Sequence, residues 1–213
     1  TKGRAGREMT EIGFLKDAGA VAFSDGDRVT EDTRVLSRAL TYARSLGALV
    51  IAHPQEPGLS RGAAATSGKF AALKGLPAVS PMAERMGLDR DIALVEMTGA
   101  RYHADQITTA RALPPLERAK ANGFDVTAGI SIHHLTLNVL DIGPYRTFFK
   151  VKPPLRAEED RVAVVEAVAA GLIDTISSWH TPQDEESKRL PFEEAASGAV
   201  GLETLLPAAM RLY

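Results

Sequence analysis

Histidines and aspartates cluster at a recurrent position in this chain, directly after or at the end of short apolar segments. All five histidines lie there. They are His53, His103, His133, His134 and His180, and Asp25, Asp27 and Asp105 share the placement. Imidazole and carboxylate groups ligate metal ions and transfer protons near neutral pH. The pattern favours a present or former metal or acid–base site, although any one histidine alone is more simply a hydrogen-bonded loop residue.

The apolar segments predict the strands that would position these side chains. Five are rich in Val, Ile and Phe and alternate with amphipathic stretches. They are 19–24, 48–52, 100–106, 124–130 and 172–177. Regular alternation of strand and helix predicts a parallel sheet, either doubly wound or a (β/α)8 barrel. Both architectures place functional side chains at the carboxyl ends of the strands. Five units are about five-eighths of such a barrel.

The helices between the strands have readable ends. Thr30 is the expected N-cap of a helix that Gly47 stops. Further helices are predicted over 81–99, from Pro81 to Gly99, and over 157–171, which begins with acidic residues. Pro114 and Pro115 interrupt the helix expected between 108 and 123. An interior proline costs about 3 kcal/mol, so a break or a late start is predicted there.

Composition excludes several classes of function. The chain has 213 residues, of which 45% are hydrophobic and 24% charged, with a net charge of -2. That balance predicts a globular protein and argues against nucleic acid as a partner. No cysteine is present, so disulfides and thiolate metal sites are excluded. The apolar runs are strand-sized, which argues against a membrane span and favours a cytoplasmic protein. The missing initiator methionine indicates part of a longer chain.

Several motifs resemble those of one enzyme family. They are Gly19–Asp25, Ala52-His53, Leu76-Pro77 to Ala83-Glu84, His133–Leu135, Pro153–Arg156 and Gly198–Thr204. In this order they resemble the bacterial class I dihydroorotases, zinc hydrolases of the amidohydrolase superfamily that interconvert dihydroorotate and carbamoyl aspartate in pyrimidine synthesis. The resemblance implies a TIM (β/α)8 barrel of the amidohydrolase type. Residues 1–213 would form one partial barrel domain, roughly the fourth to eighth βα units.

The metal positions implied by the resemblance are altered. Only His53 matches a zinc ligand clearly. The aspartate expected in an Asp-Asp-Gly turn aligns with Gly26, which leaves Asp25 or Asp27 as the carboxylate that could replace it. A further histidine position holds Gln106, and an amide is a poor zinc ligand. The family's His-x-His pair would lie upstream of Thr1.

The positions of the resembled catalytic and substrate-binding residues are altered as well. Trp179 stands where the family carries the aspartate that ligates metal and moves the proton, and an indole does neither. Lys152 replaces an asparagine that contacts the pyrimidine ring, while Arg156 is retained. His180 follows Trp179. The segment containing Ala196 and Gly198 keeps a shape whose backbone amides could bind a carboxylate.

Three hypotheses follow. In the first, the protein is a noncatalytic dihydroorotase homologue without cofactor, which the resemblance pairs with aspartate carbamoyltransferase, and Trp179 fills the former site. In the second, it is an active, zinc-dependent dihydroorotase or related cyclic amidohydrolase. In the third, the protein is a regulatory module that binds an anionic metabolite in a residual pocket near Lys152, Arg156 and His53. A site rebuilt around His180, His53, Asp105 and Lys152 is less favoured, and a homo-oligomer is compatible with all three hypotheses.

Overall fold

The computed structural model describes residues 1–212, and their strands form two parallel sheets. Strands β1, β2, β5, β6 and β7 form the larger sheet in that order, and β3 pairs with β4 in the smaller one. The strands are β1 (Ala22–Ser24), β2 (Leu49–Ala52), β3 (Ala65–Thr66), β4 (Ala78–Val79), β5 (Arg101–Ala104), β6 (Val126–Ser131) and β7 (Thr175–Ser177).

Helices alternate with these strands along the described residues. They are α1 (Ile12–Asp17), α2 (Thr33–Ser45), α3 (Pro57–Ser60), α4 (Lys69–Lys74), α5 (Met82–Thr98), α6 (Leu113–Ala121), α7 (Ile132–Thr136), α8 (Glu158–Ala169), α9 (Glu185–Lys188) and α10 (Leu205–Ala209). Short 3-10 turns lie at Lys2–Arg4, Ala110–Ala112, Val139–Ile142, Thr147–Phe149 and Met210–Leu212.

The larger sheet confirms the predicted parallel α/β architecture. Each of its five strands lies within or overlaps one predicted segment, and all four neighbouring pairs are parallel. Ala52 is opposite Ala104 across β2 and β5, and Ala104 is opposite Ala128 across β5 and β6. Because the strands run in one direction, the residues that follow them meet at one edge of the sheet. The two-residue strands β3 and β4 were not predicted.

Helix ends match the predictions except at one cap. The N-cap of α2 is Asp32 rather than Thr30, because Asp32 Oδ1 accepts from the backbone N–H of Arg34 at 2.8 Å. Thr30 instead donates its hydroxyl to Asp25. Helix α5 runs from the residue after Pro81 to the residue before Gly99, as expected. Helix α6 starts late, which places both prolines in its first turn, where a missing N–H costs little.

The main core lies between the larger sheet and its helices. Leu40 of α2, Leu88 of α5, Leu116 of α6 and the strand residues Tyr102 and Ile130 are fully buried in it. A second apolar cluster, including Ala65, Leu155 and Phe192, lies around the smaller sheet. Within residues 1–212, none of the helices combines the length and apolar composition needed to cross a bilayer.

Candidate functional site

The carboxyl ends of β2 and β5 bring His53 and Gln106 to the same edge of the sheet. The backbone N–H of Asp105 donates to the Ala52 carbonyl at 2.9 Å, which joins the two strand ends. Both His53 and Gln106 are buried. As the strand pattern predicted, His53 and Gln106 follow two neighbouring strands of the sheet.

His53 is neutral and retains a free ring nitrogen. Burial, together with the positive charges of Lys152 and Arg156, lowers the pKa of His53 to about 4. Its Nδ1 atom is buried and has no hydrogen-bond partner among residues 1–212. A neutral imidazole with an open nitrogen is competent to ligate a metal or to hydrogen-bond a ligand.

Gln106 connects β5 to β7. Its Nε2 donates to Asp105 Oδ1 and to Ser177 Oγ, each at 3.3 Å. Its backbone has a positive φ of 62°. The Oε1 atom is buried and unpaired within the described part of the chain. Gln106 thus links Asp105 to Ser177 through two weak hydrogen bonds. It places an amide oxygen where the resemblance implies an imidazole.

The two aspartates after β1 are engaged within the protein. Asp25 is buried and accepts from the hydroxyls of Thr1 at 2.5 Å and Thr30 at 3.2 Å. Asp27 is half-exposed and lies 2.5 Å from Arg4 Nη2 and 3.5 Å from Lys152 Nζ. Burial raises the pKa of Asp27, but the charges of Lys152 and Arg4 lower it below its ordinary value overall. Both carboxylates are therefore engaged by other groups of this chain.

Residues 1–212 do not by themselves supply the donor set of a catalytic zinc ion. Among residues 1–212, no three His, Cys, Asp or Glu side chains are grouped as a metal ion requires. A catalytic zinc site takes about three protein ligands from such groups. Here His53 has an open nitrogen after β2, while the residue two positions after the end of β5 is the amide Gln106.

Trp179 lies in the loop after β7 with its indole turned to the backbone of Lys152. The indole Nε1–H donates to the Lys152 carbonyl at 3.0 Å, and the residue adopts a positive φ of 45°. Thr181 donates its hydroxyl to the Trp179 carbonyl at 3.2 Å. Trp179 therefore ties the β7 loop to residue 152, and its only polar side-chain atom is a donor.

Arg156 lies outside the open part of the site. It is 2% exposed and donates to Glu84 Oε2 at 3.1 Å, Thr108 Oγ1 at 2.9 Å and Thr66 Oγ1 at 3.1 Å. Glu84 is fully buried and also accepts from two backbone N–H groups. The guanidinium that the resemblance placed beside substrate is thus part of a buried ion pair that joins the two sheets.

His180, predicted in the pocket, and His134, one of the histidines predicted after the strands, both make contacts within the protein. His180 is exposed, and its Nδ1 accepts from the backbone N–H groups of Gly201 at 3.2 Å and Leu202 at 3.3 Å. His134 is buried between Ser131 Oγ at 2.7 Å and the Pro153 carbonyl at 3.1 Å. Burial and the charge of Arg156 lower its pKa to about 3. Both histidines therefore have hydrogen-bond partners within the protein.

The backbone N–H groups of Ala196 and Gly198 already donate hydrogen bonds within the protein. The Ala196 N–H bonds the Ser187 carbonyl at 3.2 Å, and the Gly198 N–H bonds the Lys150 carbonyl at 2.8 Å. A Cβ at residue 198 would lie 2.3 Å from the Thr181 carbonyl oxygen, so only glycine fits. These amides are not free for a ligand carboxylate.

A cleft of about 830 Å³ opens beside His53, and sequence reasoning missed most of its walls. Five basic and two acidic side chains line it, although the whole chain has a net charge of -2. The basic residues are Arg4, Arg7, Arg28, Arg61 and Lys152. They come from four separate segments of the chain, so no single local motif predicts the cluster. Gln55 also lines the cleft, and its Nε2 is buried without a partner among the described residues.

Solved structures define the class of the fold. L-hydantoinase (dihydropyrimidinase) from Arthrobacter aurescens superposes with a TM-score of 0.81 at 25% identity, over 94% of this chain and 47% of that one. Dihydroorotase from Saccharomyces cerevisiae, in complex with 5-fluoroorotic acid, superposes with a TM-score of 0.63 at 18% identity. The superposition covers 84% of this chain and 46% of that one. The chain is part of a TIM barrel of the amidohydrolase type, as predicted.

Sequence comparison then identifies the family. The family model described as "Dihydro-orotase-like" matches residues 1–112. A dihydroorotase of Pelotomaculum thermopropionicum is 41% identical over 204 residues, which are 96% of this chain and 48% of that protein. A "dihydroorotase-like protein" of Pseudomonas putida is 37% identical over 212 residues, which are 100% of this chain and 50% of that protein. The chain belongs to the dihydroorotase-like family and spans about half the length of the curated relatives it matches.

Proposed function

We propose that this chain belongs to a noncatalytic dihydroorotase-like protein of pyrimidine biosynthesis, with a degraded zinc site and a cytoplasmic location. The observation that carries the proposal is Trp179, whose indole N–H is bonded to the Lys152 carbonyl. Hydrolysis of a cyclic amide needs an activated water and a group that moves a proton to the leaving nitrogen. An indole accepts no proton under these conditions, and Gln106 supplies no imidazole.

We propose further that the protein is a structural partner of aspartate carbamoyltransferase. This partnership rests on the family resemblance. A protein that has lost its chemistry but keeps a well-packed barrel core is suited to an assembly role, since packing and catalysis depend on different residues here. Self-association into a homo-oligomer is compatible with the same role.

Two measurements on the full-length protein test this proposal. Dihydroorotate hydrolysis should be absent in the folded protein with zinc added. Sedimentation of the protein mixed with aspartate carbamoyltransferase from the same source should give a complex of fixed stoichiometry, while each protein alone sediments as its own species. Turnover would contradict the noncatalytic assignment, and separate sedimentation at micromolar concentrations would contradict the partnership.

An active zinc-dependent dihydroorotase or related cyclic amidohydrolase is the second candidate. One observation favours it: His53 is neutral and has an open Nδ1 at the end of β2, the state that a metal ligand requires. Several relatives named dihydroorotase are also 36–41% identical to this chain. The third candidate, a regulatory module that binds an anionic metabolite, is favoured by the basic cleft beside His53.

A further inference from the structure

We infer that the cleft beside His53 binds a phosphorylated small molecule, with the phosphate or diphosphate group held by Arg7 and Arg28. The inference names the ligand class of the metabolite-binding candidate and rests on the proposed absence of zinc at His53, because a bound metal would take the open imidazole nitrogen. Three features of the cleft support the inference. They are the charge of its walls, the incomplete pairing of its basic side chains, and the two buried polar atoms at its floor that lack hydrogen-bond partners.

The charge of the cleft is opposite in sign to that of the whole chain. Its walls hold five basic and two acidic side chains, in a protein with a net charge of -2. Concentrating like charges costs free energy unless a counter-charge is bound. Most of the basic groups are arginines, whose planar guanidinium matches phosphate oxygens with paired hydrogen bonds.

The carboxylates around the cleft satisfy only part of this charge. Asp27 lies between Arg4 and Lys152, and Glu31 pairs with Arg61 at 3.0 Å. Arg7 and Arg28 form no salt bridge within residues 1–212. Both side chains line the cleft, and within residues 1–212 the guanidinium of Arg28 makes one hydrogen bond, to the Arg4 carbonyl at 3.3 Å. Two guanidinium groups are thus left for an anion.

The floor of the cleft holds two buried polar atoms without partners. His53 and Gln55 both line it and are 3% and 4% exposed. Neither His53 Nδ1 nor Gln55 Nε2 is hydrogen-bonded in the described structure. Buried polar atoms are nearly always paired, so two orphans at one floor indicate that a ligand completes them. A phosphate ester provides acceptors for Gln55 and, through a hydroxyl, a donor for the neutral imidazole.

The size of the cleft argues for more than a free phosphate ion. A volume of about 830 Å³ lies in the range of sites for organic metabolites. The basic groups stand on the walls and the orphaned polar atoms at the floor, so the ligand needs an anionic group and a separate polar group. The chemistry is therefore a phosphate or diphosphate ester of a small polar molecule.

Calorimetric titration of the full-length protein with pyrophosphate tests the inference, in buffer free of divalent metals and at constant ionic strength. Zinc content is measured first. Arg7→Gln with Arg28→Gln should weaken pyrophosphate binding by about tenfold, since charge-assisted hydrogen bonds are lost. Arg38→Gln, an exposed arginine on α2 outside the cleft, is the matched control and should leave affinity unchanged. Titration with citrate tests whether the cleft binds a carboxylate anion as tightly as a phosphate anion.

The variant Gln55→Met tests whether the Gln55 amide binds the ligand or stabilises the fold. The substitution removes the orphaned amide at similar volume, so the ligand-free protein should unfold at the same or a higher urea concentration. Pyrophosphate is shorter than the inferred ester, so the floor is tested by titration with glucose 6-phosphate, a generic phosphate ester carrying hydroxyls. Its affinity should fall about fivefold in Gln55→Met, as expected for one lost hydrogen bond.

The outcomes distinguish this inference from the proposed function. Zinc near one equivalent per chain would overturn both. A zinc-free, catalytically silent protein that binds neither pyrophosphate nor the ester would overturn the inference alone. Equal weakening by Arg38→Gln, or citrate binding as tight as pyrophosphate, would overturn the assigned site or the phosphate class.

Discussion

The indole N–H of Trp179 and the carbonyl oxygen of Lys152 are 3.0 Å apart, which joins the loop after β7 to the segment before α8. Lys152 Nζ in turn lies 3.5 Å from Asp27, in the loop after β1. Strands β1 and β7 are the two edges of the larger sheet, so this chain of contacts connects its opposite ends. Trp179, Lys152 and Asp27 thus form a structural link across this edge of the fold.

The buried pair between Arg156 and Glu84 should dominate stability around the smaller sheet. Arg156→Met should lower the free energy of unfolding by about 3–5 kcal/mol, because it leaves the Glu84 carboxylate buried and without its counter-charge. Urea denaturation measures the change. Arg189→Met is the control, since Arg189 pairs with Glu185 on the surface and its loss should cost less than about 1 kcal/mol. Equal losses in the two variants would contradict the buried role of Arg156.

This pair also shows where sequence reasoning stopped. The five strands and the ends of α5 were predicted because periodicity, Pro81 and Gly99 act over a few residues. Arg156 was expected beside a ligand, but its partners Thr108, Glu84 and Thr66 are 48, 72 and 90 positions away in the chain. Likewise, His53 and Gln106 were placed correctly by strand alternation, whereas the basic cleft depends on loops packed together only in three dimensions.

Stability should fall as the pH drops from 6.5 towards 4, in part because of His134. Its folded pKa is about 3, against an ordinary value of 6.5. Between these values the unfolded chain binds a proton that the folded chain does not, so stability rises with pH, by at most about 1.4 kcal/mol per pH unit for this group. His53, with a pKa of about 4, acts in the same direction.

Urea denaturation at several pH values measures this dependence. His134→Gln should flatten the slope between pH 4.5 and 6.5, roughly as expected for removal of one titrating group. His180→Gln is the control, because His180 is exposed and contacts only backbone N–H groups of the next loop. An unchanged slope in His134→Gln would contradict the neutral, buried state assigned to that ring.

Gly87 allows α5 to pack directly on the segment that carries His53 and Gln55. A Cβ at residue 87 would lie 2.4 Å from the backbone nitrogen of Gln55, which is closer than real Cβ contacts come. Gly87→Ala should therefore destabilise the protein by about 1–3 kcal/mol, as overpacking does, despite the better helix propensity of alanine. Thermal unfolding checks this against Met86→Ala on the exposed side of the same helix, which should change stability by less than about 1 kcal/mol.

The most direct test of the central claim is zinc content measured together with dihydroorotate turnover in the full-length protein. A Trp179→Asp, Gln106→His double variant is the comparison, and its circular dichroism confirms the fold. We predict that the wild-type protein holds far less than one zinc per chain and does not hydrolyse dihydroorotate, while the double variant binds more zinc. Wild-type protein with about one zinc per chain and measurable turnover would contradict the account.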